Sequence, residues 1–312
     1  MTMLDVLSMG RTLVDLYPEQ DGPLESVVSY ASSVGGSPTN VAIAAARLGH
    51  GTGMLSRIGD DPLGRYARAA LAAEGVDVSQ VIPVPGATTP VAVCEIQEPF
   101  ALTIYRPSPP VDVAITADSL DAEAVASAAI LWTSLSGYSA DPSRAAHRRA
   151  AQLRAGRELI LDLDYRPAFW DRESDAAAAA VDALADATVV VGNLAECGIV
   201  TGAADADETV ERLLAAGPRL AIVKLGAEGV LAATSRERVL VRPIPIVQVN
   251  GLGAGDAFGG ALCHGLLAGW GLGELLGFAN AAGAVVAGRR GCSSAMPTVD
   301  EVQELLATSR PA

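Results

Sequence analysis

Short apolar segments alternate with helix-like segments through most of the chain, and this alternation constrains the fold more than any other feature. After Pro110 the apolar segments are residues 130–133, 159–163, 188–191 and 220–224, and residues 119–127 and 143–155 have helical patterns. Strands that alternate with helices pair in parallel, and the helices cover both faces of the sheet. The pattern therefore predicts an α/β fold built on one parallel sheet.

Two parts of the first third of the chain do not follow this alternation. Residues 12–34 and 86–112 are strand-like, rich in proline and poor in helix signals. Extended segments bounded by proline and glycine are typical of short strands and hairpins. We interpret both parts as a small β-sheet lid inserted into a single α/β domain that spans residues 1–312.

Composition and charge exclude several classes of protein. The chain is 50% hydrophobic and 19% charged, which is sufficient for a large core, and its net charge of −14 excludes the basic surface of a free-standing nucleic-acid binder. Residues 257–273 have no formal charge but are rich in glycine, which favours a buried helix over a membrane span. The first ten residues lack the pattern of a signal peptide, and the four cysteines are widely spread. Both features predict a cytoplasmic protein with free thiols.

Several common catalytic motifs are absent from the sequence. It has no GxxxxGK[ST] phosphate loop, no GxGxxG in the first strand–helix unit, no HExxH and no GxSxG. The chemistry therefore has to depend on carboxylates, arginines, glycines and backbone groups.

The most informative segment is residues 250–260, which read NGLGAGDAFGG. Alternating glycines allow a sharp turn with exposed N–H groups, and the helix that follows presents the positive end of its dipole to an anion. Asp256 lies at the same point, where a carboxylate suits the deprotonation of a hydroxyl while negative charge develops nearby. From the spacing alone, Asp256 as an ordinary helix cap is an equal alternative.

A second segment, residues 35–40, reads GGSPTN and precedes a helix. Two glycines allow a small polar ligand to lie against the backbone, and Asn40 both donates and accepts hydrogen bonds. A plain loop with a helix cap explains the same pattern.

Together these two segments resemble the paired motifs of the ribokinase, or pfkB, family of carbohydrate kinases. Residues 59–64 resemble the family's G-x-D-x-x-G turn, Asn193 and Glu196 its N-x-x-E motif, and residues 224–229 its nucleotide-side G-x-x-G. The motifs occur in the family's order, and the resemblance covers essentially the whole chain. It implies a Rossmann-like α/β/α sandwich with a β-sheet lid over the sugar.

The resemblance also implies roles for individual residues. Asp256 would be the general base for the acceptor hydroxyl, and the amides of Gly253, Ala254 and Gly255 would hold the charge of the phosphoryl group. The residues implied at the sugar hydroxyls and the adjoining glycine turn are Asp15, Gly35, Gly36 and Asn40.

ATP and Mg²⁺ are the cofactors that the resemblance implies. Asn193 and Glu196 would act on Mg²⁺ through its waters, although a helix cap is the structural alternative for this pair. Asn250 replaces an aspartate that in the family often helps to shape a monovalent-cation site, which leaves activation by K⁺ open. The residues implied at the nucleotide are Asn193, Lys224, Gly226, Gly229 and Asn280.

Two arginine-containing segments bear on the substrate, residues 105–107 (YRP) and 162–167 (DLDYRP). Alternation along a strand places Asp162, Asp164 and Arg166 on one side, and an arginine binds a carboxylate with two parallel hydrogen bonds. An ion pair between Arg166 and a neighbouring aspartate is the purely structural alternative.

Within the family, residues 15–18 (DLYP), residues 162–167 with Phe169 and Trp170, and residues 250–256 resemble the branch that acts on keto-deoxy sugar acids in myo-inositol breakdown. Asp164 stands where other sugar-acid kinases have asparagine. The resemblance implies phosphorylation of a terminal C6 hydroxyl, with 5-dehydro-2-deoxygluconate as the first expectation. The residues implied at the acid are Tyr105, Arg106, Asp164 and Arg166. The alternatives are 2-keto-3-deoxygluconate, a neutral sugar as for fructokinase or ribokinase, and a sugar-acid sensor without turnover. We also expect a homodimer formed through the lid, and no partnership with nucleic acid or membrane.

Overall fold

Two β-sheets organise the chain, one of nine strands and one of four. The structure is a computed structural model that describes residues 3–95 and 101–309. Residues 96–100, which belong to the predicted lid, lie outside the described residues, as do the first two and the last three positions. The prediction of an α/β fold with a second, small sheet is confirmed.

The large sheet has the strand order β13-β12-β11-β10-β9-β8-β1-β4-β5, and the small sheet has the order β3-β2-β6-β7. All neighbours in the large sheet are parallel from β5 to β11, whereas β12 and β13 pair antiparallel at one edge. In chain order the strands are β1 (Val6–Met9), β2 (Leu13–Pro18), β3 (Tyr30–Gly35), β4 (Thr52–Gly59), β5 (Val81–Val84), β6 (Val91–Glu95), β7 (Ala101–Tyr105), β8 (Ile130–Ser134), β9 (Glu158–Asp162), β10 (Val189–Asn193), β11 (Leu220–Lys224), β12 (Val230–Ala233) and β13 (Arg238–Val241).

Helices cover both faces of the large sheet. In chain order they are α1 (Ser37–Arg47), α2 (Pro62–Ala73), α3 (Ala122–Ser127), α4 (Ser143–Leu153), α5 (Glu173–Asp186), α6 (Leu194–Thr201), α7 (Ala206–Ala215), α8 (Ala254–Leu267), α9 (Leu272–Ala287) and α10 (Val299–Thr308). The core on one face is formed with α1, α2, α8, α9 and α10, and the core on the other with α3 to α7. The central strands are buried on both faces, as in parallel sheets generally, and so read as continuous apolar runs.

The apolar segment at residues 257–273 differs from its prediction. It was expected to form one buried helix, but α8 ends at Leu267 and α9 begins at Leu272. Gly269 makes the turn between them with a φ of +68°, a conformation that glycine adopts without strain. Neither of these helices nor any other in the described ranges has the length and apolar character that crossing a bilayer requires.

The small sheet is built from the two parts of the chain that were predicted to form the lid. Strand β2 pairs antiparallel with β3 and parallel with β6, and β6 pairs antiparallel with β7. One side of this sheet borders a cavity at the carboxyl ends of the large sheet, to which β2 contributes Leu13, Asp15 and Tyr17. Its opening and closing as a lid remain a prediction.

Helices α1 and α8 pack closely because small residues face each other. A Cβ atom at Gly260 would lie 2.4 Å from the Cβ of Ala44 and 2.9 Å from the backbone nitrogen of Ala45. A Cβ at Gly259 would lie 2.6 Å from the ring of the buried Trp132. This close contact fixes the position of α8, whose first turn reaches the functional site.

We expect the substitution Gly260→Ala to lower the melting temperature. The added methyl group has to separate two packed helices, and overpacking of this kind costs about 1–3 kcal/mol. Gly277→Ala in α9 is the matched control, because a Cβ there meets nothing within 4 Å and alanine favours the helix. Thermal unfolding of both variants gives the measurement, and equal melting temperatures would contradict the packing argument.

Candidate active site

The carboxyl ends of neighbouring parallel strands bring polar side chains to one edge of the large sheet. Arg11 follows the end of β1, while Asp162, Asn193 and Lys224 are the last residues of β9, β10 and β11. Ligands in open α/β sheets bind at this edge. The small sheet and the first turn of α8 enclose the same region.

Two adjoining cavities lie at this edge. The larger has a volume of about 440 Å³ and the smaller about 270 Å³. Lys224, Gly226, Gly251 and Gly255 border both of them. Among the residues predicted for the site, the larger cavity is lined by Asp15, Gly36, Asn40, Asp164, Arg166, Asn193, Glu196, Lys224, Gly226, Gly253, Gly255 and Asp256, and the smaller also by Gly229, Ala254 and Asn280.

The first turn of α8 separates the two cavities. Gly253 precedes it with a φ of +85°, and a Cβ there would lie 2.3 Å from the sulfur of Cys292, so this position requires glycine. The first N–H groups of a helix have no intrahelical partner and are free to bind an anion. Both cavities border this helix end, the larger at Gly253 and Gly255 and the smaller at Ala254 and Gly255.

Asp256 does not cap this helix, which contradicts the simpler interpretation of its position. The N-cap is Gly253, and Asp256 lies in the first turn with its carboxylate in the larger cavity. Its Oδ2 accepts a hydrogen bond of 2.7 Å from the side chain of Asn40, whose Nδ2 also lies 3.0 Å from the sulfur of Cys292. Burial raises the pKa of Asp256, the charge of Asp164 adds to this, and the hydrogen bond from Asn40 opposes it.

Lys224 places a positive charge beside the same helix end. A Cβ at Gly255 would lie only 3.1 Å from the Nζ of Lys224. Burial alone lowers the pKa of this amine, but the nearby carboxylates, foremost Asp162 and Glu196, raise it above its usual value. The ammonium group of Lys224 and the N-terminus of α8 thus form one region of positive electrostatic potential.

Asn193 and Glu196 form the capping box that was the structural alternative for them. Asn193 Oδ1 accepts from the backbone N–H of Glu196 at 2.9 Å, and Glu196 Oε2 accepts from the backbone N–H of Asn193 at 2.8 Å. Both residues also line the larger cavity. Within the described ranges, no group of three or more His, Cys, Asp or Glu side chains is placed to hold a metal ion directly.

The segment after β9 differs from its predicted geometry. The strand ends at Asp162, so strand alternation does not extend to Asp164 and Arg166 as expected. All three nevertheless line the larger cavity, because the chain continues along its edge. Arg166 lies 2.7 Å from Asp164 Oδ1, which is the ion pair foreseen as the structural alternative.

Arg106, Tyr105 and Gly35 are not among the residues that line either cavity in the described part of the chain. Arg106 makes a bidentate contact with Asp112 at 3.0 and 2.8 Å, and the side chain of Tyr105 is exposed. Gly35 packs against the carboxyl group of Asp15, since a Cβ at Gly35 would lie 2.2 Å from Asp15 Oδ2. Their contacts with a substrate stay predictions.

Arg11 and Cys292, which were not predicted as site residues, also line the larger cavity. Arg11 follows a strand whose carboxyl end lies at the edge where ligands bind, and this placement would have identified it. Cys292 has no comparable signal, because it reaches the site only through the packing of a segment that follows α9.

Similarity to known proteins agrees with this geometry. Residues 3–299 match the family described as pfkB family carbohydrate kinase. The chain is 32% identical to a 5-dehydro-2-deoxygluconokinase of Shouchella clausii, over 97% of this chain and 95% of that protein. A PfkB protein from Polaromonas sp. JS666 has a TM-score of 0.84 at 28% identity, covering 93% of this chain and 98% of that one. A fructokinase with bound ATP from Xylella fastidiosa has a TM-score of 0.86 at 25% identity, covering 97% and 98%.

Asp15 provides a test of the electrostatics of the larger cavity. Burial and the charge of Asp256 raise the pKa of Asp15 from 3.8 to about 7, so its contribution to stability falls as the pH rises between these values. We expect Asp15→Asn to raise the melting temperature at pH 8, where the variant lacks a buried charge, and to raise it less at pH 5. Thermal unfolding at both values gives the measurement. Asp118→Asn, at an exposed carboxylate, is the control, and the same gain from Asp15→Asn at pH 5 and pH 8 would contradict the assignment.

Proposed function

The chain belongs to the pfkB family of carbohydrate kinases, and on this premise we propose that it transfers the γ-phosphoryl group of ATP to the terminal C6 hydroxyl of 5-dehydro-2-deoxygluconate. The observation that carries the proposal is that two cavities meet at the N-terminus of α8. The larger contains Asp256, and Lys224 borders both. Phosphoryl transfer requires this arrangement, in which two substrates face each other across a group that stabilises negative charge.

The larger cavity suits the sugar and the smaller suits the nucleotide. Asp15 and Asn40 offer a carboxylate and an amide to sugar hydroxyls in the larger cavity. Gly229 and Asn280 line the smaller one, which opens between β12 and α9. The Xylella fructokinase, similar over nearly its whole length, was solved with ATP bound, which supports ATP as the donor here.

Asp256 is the general base in this proposal. Its carboxylate takes the proton of the C6 hydroxyl as the oxygen bonds to the γ-phosphorus, and the bond from that phosphorus to the leaving oxygen of ADP breaks. A raised pKa makes the carboxylate of Asp256 a stronger proton acceptor when it is ionised. The amides of Gly253, Ala254 and Gly255, with Lys224 beside them, stabilise the charge of the phosphoryl group.

The donor set at the larger cavity fits Mg²⁺. Burial raises the pKa of Asp162 to about 7, and the charges of Asp164 and Glu196 add to this against the opposing effect of Lys224. The excess of carboxylate charge favours a divalent cation, and the small number of side chains suits an ion that keeps its waters. We propose that Asn193 and Glu196 hold it through water, where it would neutralise phosphate oxygens.

Asn250 stands at the position where the family often has an aspartate beside a monovalent cation. Asn250 is neutral, and its side-chain amide already bonds to the backbone: Nδ2 donates to the carbonyl of Gly291 at 3.0 Å, and Oδ1 accepts from the N–H of Leu252 at 3.0 Å. It therefore brings no charge to a monovalent-cation site.

Release of ADP in the presence of a panel of sugars tests the proposed function. We expect the largest kcat/KM for 5-dehydro-2-deoxygluconate, a smaller value for 2-keto-3-deoxygluconate and the smallest for fructose. A larger value for fructose would replace the proposed substrate with a neutral sugar. Saturable binding of a sugar acid without any ADP release would favour a sensor.

We expect Asp256→Asn to lower kcat by about two to four orders of magnitude, because the amide keeps the shape of the carboxylate but cannot accept the proton. The KM for the sugar should stay within a few-fold of the parent value. Asp118→Asn on the exposed surface serves as the control for the same chemical change. Steady-state kinetics give both constants, and a kcat within a few-fold of the parent would exclude Asp256 as the base.

A further inference from the structure

Arg11 is a buried arginine at the wall of the larger cavity whose guanidinium group makes no hydrogen bond to any described residue. Its side chain is 6% exposed, and its Nε is buried without a partner. The nearest carboxylate oxygen is Asp164 Oδ2, at 3.8 Å from its Nη2. Buried polar groups in proteins are almost always hydrogen-bonded, so a donor left in this state requires an explanation.

Arg57 shows how this chain treats a buried arginine with a structural role. It is as deeply buried as Arg11, and yet its guanidinium donates to the backbone carbonyl of Ser56 at 2.9 Å and to the hydroxyl of Ser119. Arg57 is satisfied by fixed acceptors, whereas the hydrogen-bonding capacity of Arg11 remains open toward a cavity. The contrast indicates that a ligand supplies the missing acceptor.

The other two arginines of this region already have partners. Arg166 lies 2.7 Å from Asp164 Oδ1, and Arg106 binds both oxygens of Asp112. An anion that bound to either would compete with a carboxylate that is already in place. Arg11 has no such competitor at hydrogen-bonding distance, and it lines the cavity.

The position of Arg11 is fixed from both ends. Its backbone carbonyl accepts a hydrogen bond of 3.0 Å from the hydroxyl of Thr39, and a Cβ at Gly36 would lie 2.4 Å from that carbonyl. Its guanidinium lies over the ring of Phe169 at 4.3 Å, and Arg106 lies over the same ring at 4.5 Å. Because the guanidinium is already held in place, it loses less conformational entropy when it binds an anion.

We infer that Arg11 binds the carboxylate of the sugar acid and is the residue that selects acids over neutral sugars. The inference rests on the proposed function and deepens it. Asp164 Oδ2 is also buried without a hydrogen bond, so an unpartnered donor and an unpartnered acceptor face each other 3.8 Å apart. A sugar acid satisfies both, with its carboxylate at Arg11 and a hydroxyl at Asp164. The ionised carboxylate of Asp164 only accepts hydrogen bonds, so the sugar group beside it has to be a donor. A hydroxyl meets this requirement, whereas a carbonyl group does not.

The test compares Arg11→Gln and Arg11→Lys with the parent enzyme. We expect Arg11→Gln to raise the KM for 5-dehydro-2-deoxygluconate about ten- to a hundredfold, because one charge-assisted hydrogen-bonded contact is lost. The KM for ATP and the kcat should change little. Arg11→Lys keeps the charge but loses the forked geometry of the guanidinium. Its KM for the sugar acid should therefore lie between those of the parent enzyme and Arg11→Gln. Arg172→Gln, at an exposed ion pair with Asp175, is the control for the same substitution.

The outcomes separate this inference from the proposed function. If the parent enzyme phosphorylates the acid but Arg11→Gln leaves its KM unchanged, or harms fructose equally, Arg11 is not the selective residue and the kinase assignment stands. If the parent enzyme does not phosphorylate the acid, the proposed function fails and the role of Arg11 fails with it. If Arg11→Gln does not fold, Arg11→Lys decides the question, and a parent-like KM for the acid would overturn the inference.

Discussion

The concentration of negative charge at the carboxyl ends of the large sheet is the constraint on which the rest of the structure depends. Five carboxylates share one cavity with three cations, and burial together with the neighbouring carboxylate charges raises the pKa values of Asp15 and Asp162 to about 7. Burying charges in this way costs free energy of folding, and the apolar burial in the two extensive cores offsets that cost. The carboxylates are Asp15, Asp162, Asp164, Glu196 and Asp256, and the cations are Arg11, Arg166 and Lys224.

The close packing of α1 against α8 fixes the positions of the polar side chains in this cavity. The contact of Gly260 with Ala44 brings α8 against α1, and the first turns of these two helices then place Asn40 at 2.7 Å from Asp256. The same helix end supplies the free N–H groups that border both cavities. The proposed base and the amides proposed to bind the phosphoryl group therefore share one rigid support, which suits phosphoryl transfer by positioning.

The sequence predicted the central strands because their apolar runs are long and continuous, and β11 (Leu220–Lys224) has the predicted bounds. It did not predict β5, β12 and β13, whose four-residue runs carry too little periodicity. Asp256 was predicted as the base, together with its glycines, from a local motif, and this role stays a prediction. Arg11 was overlooked, although its place directly after the first strand could have been recognised from the sequence. The ion pair between Arg106 and Asp112 was not predicted, because it depends on tertiary contacts that the sequence spacing does not encode.

The different exposure of two arginines has a consequence for the kinetics of binding. The proposed acid approaches a chain with a net charge of −14, so long-range repulsion slows its encounter and salt weakens that repulsion. Arg166 has 43% of its side chain exposed, whereas Arg11 lies deep in the cavity wall with 6% exposed. In the proposed binding mode, the acid would meet Arg166 before it reaches Arg11. Arg166 would then act on the rate of association, and Arg11 on the lifetime of the complex.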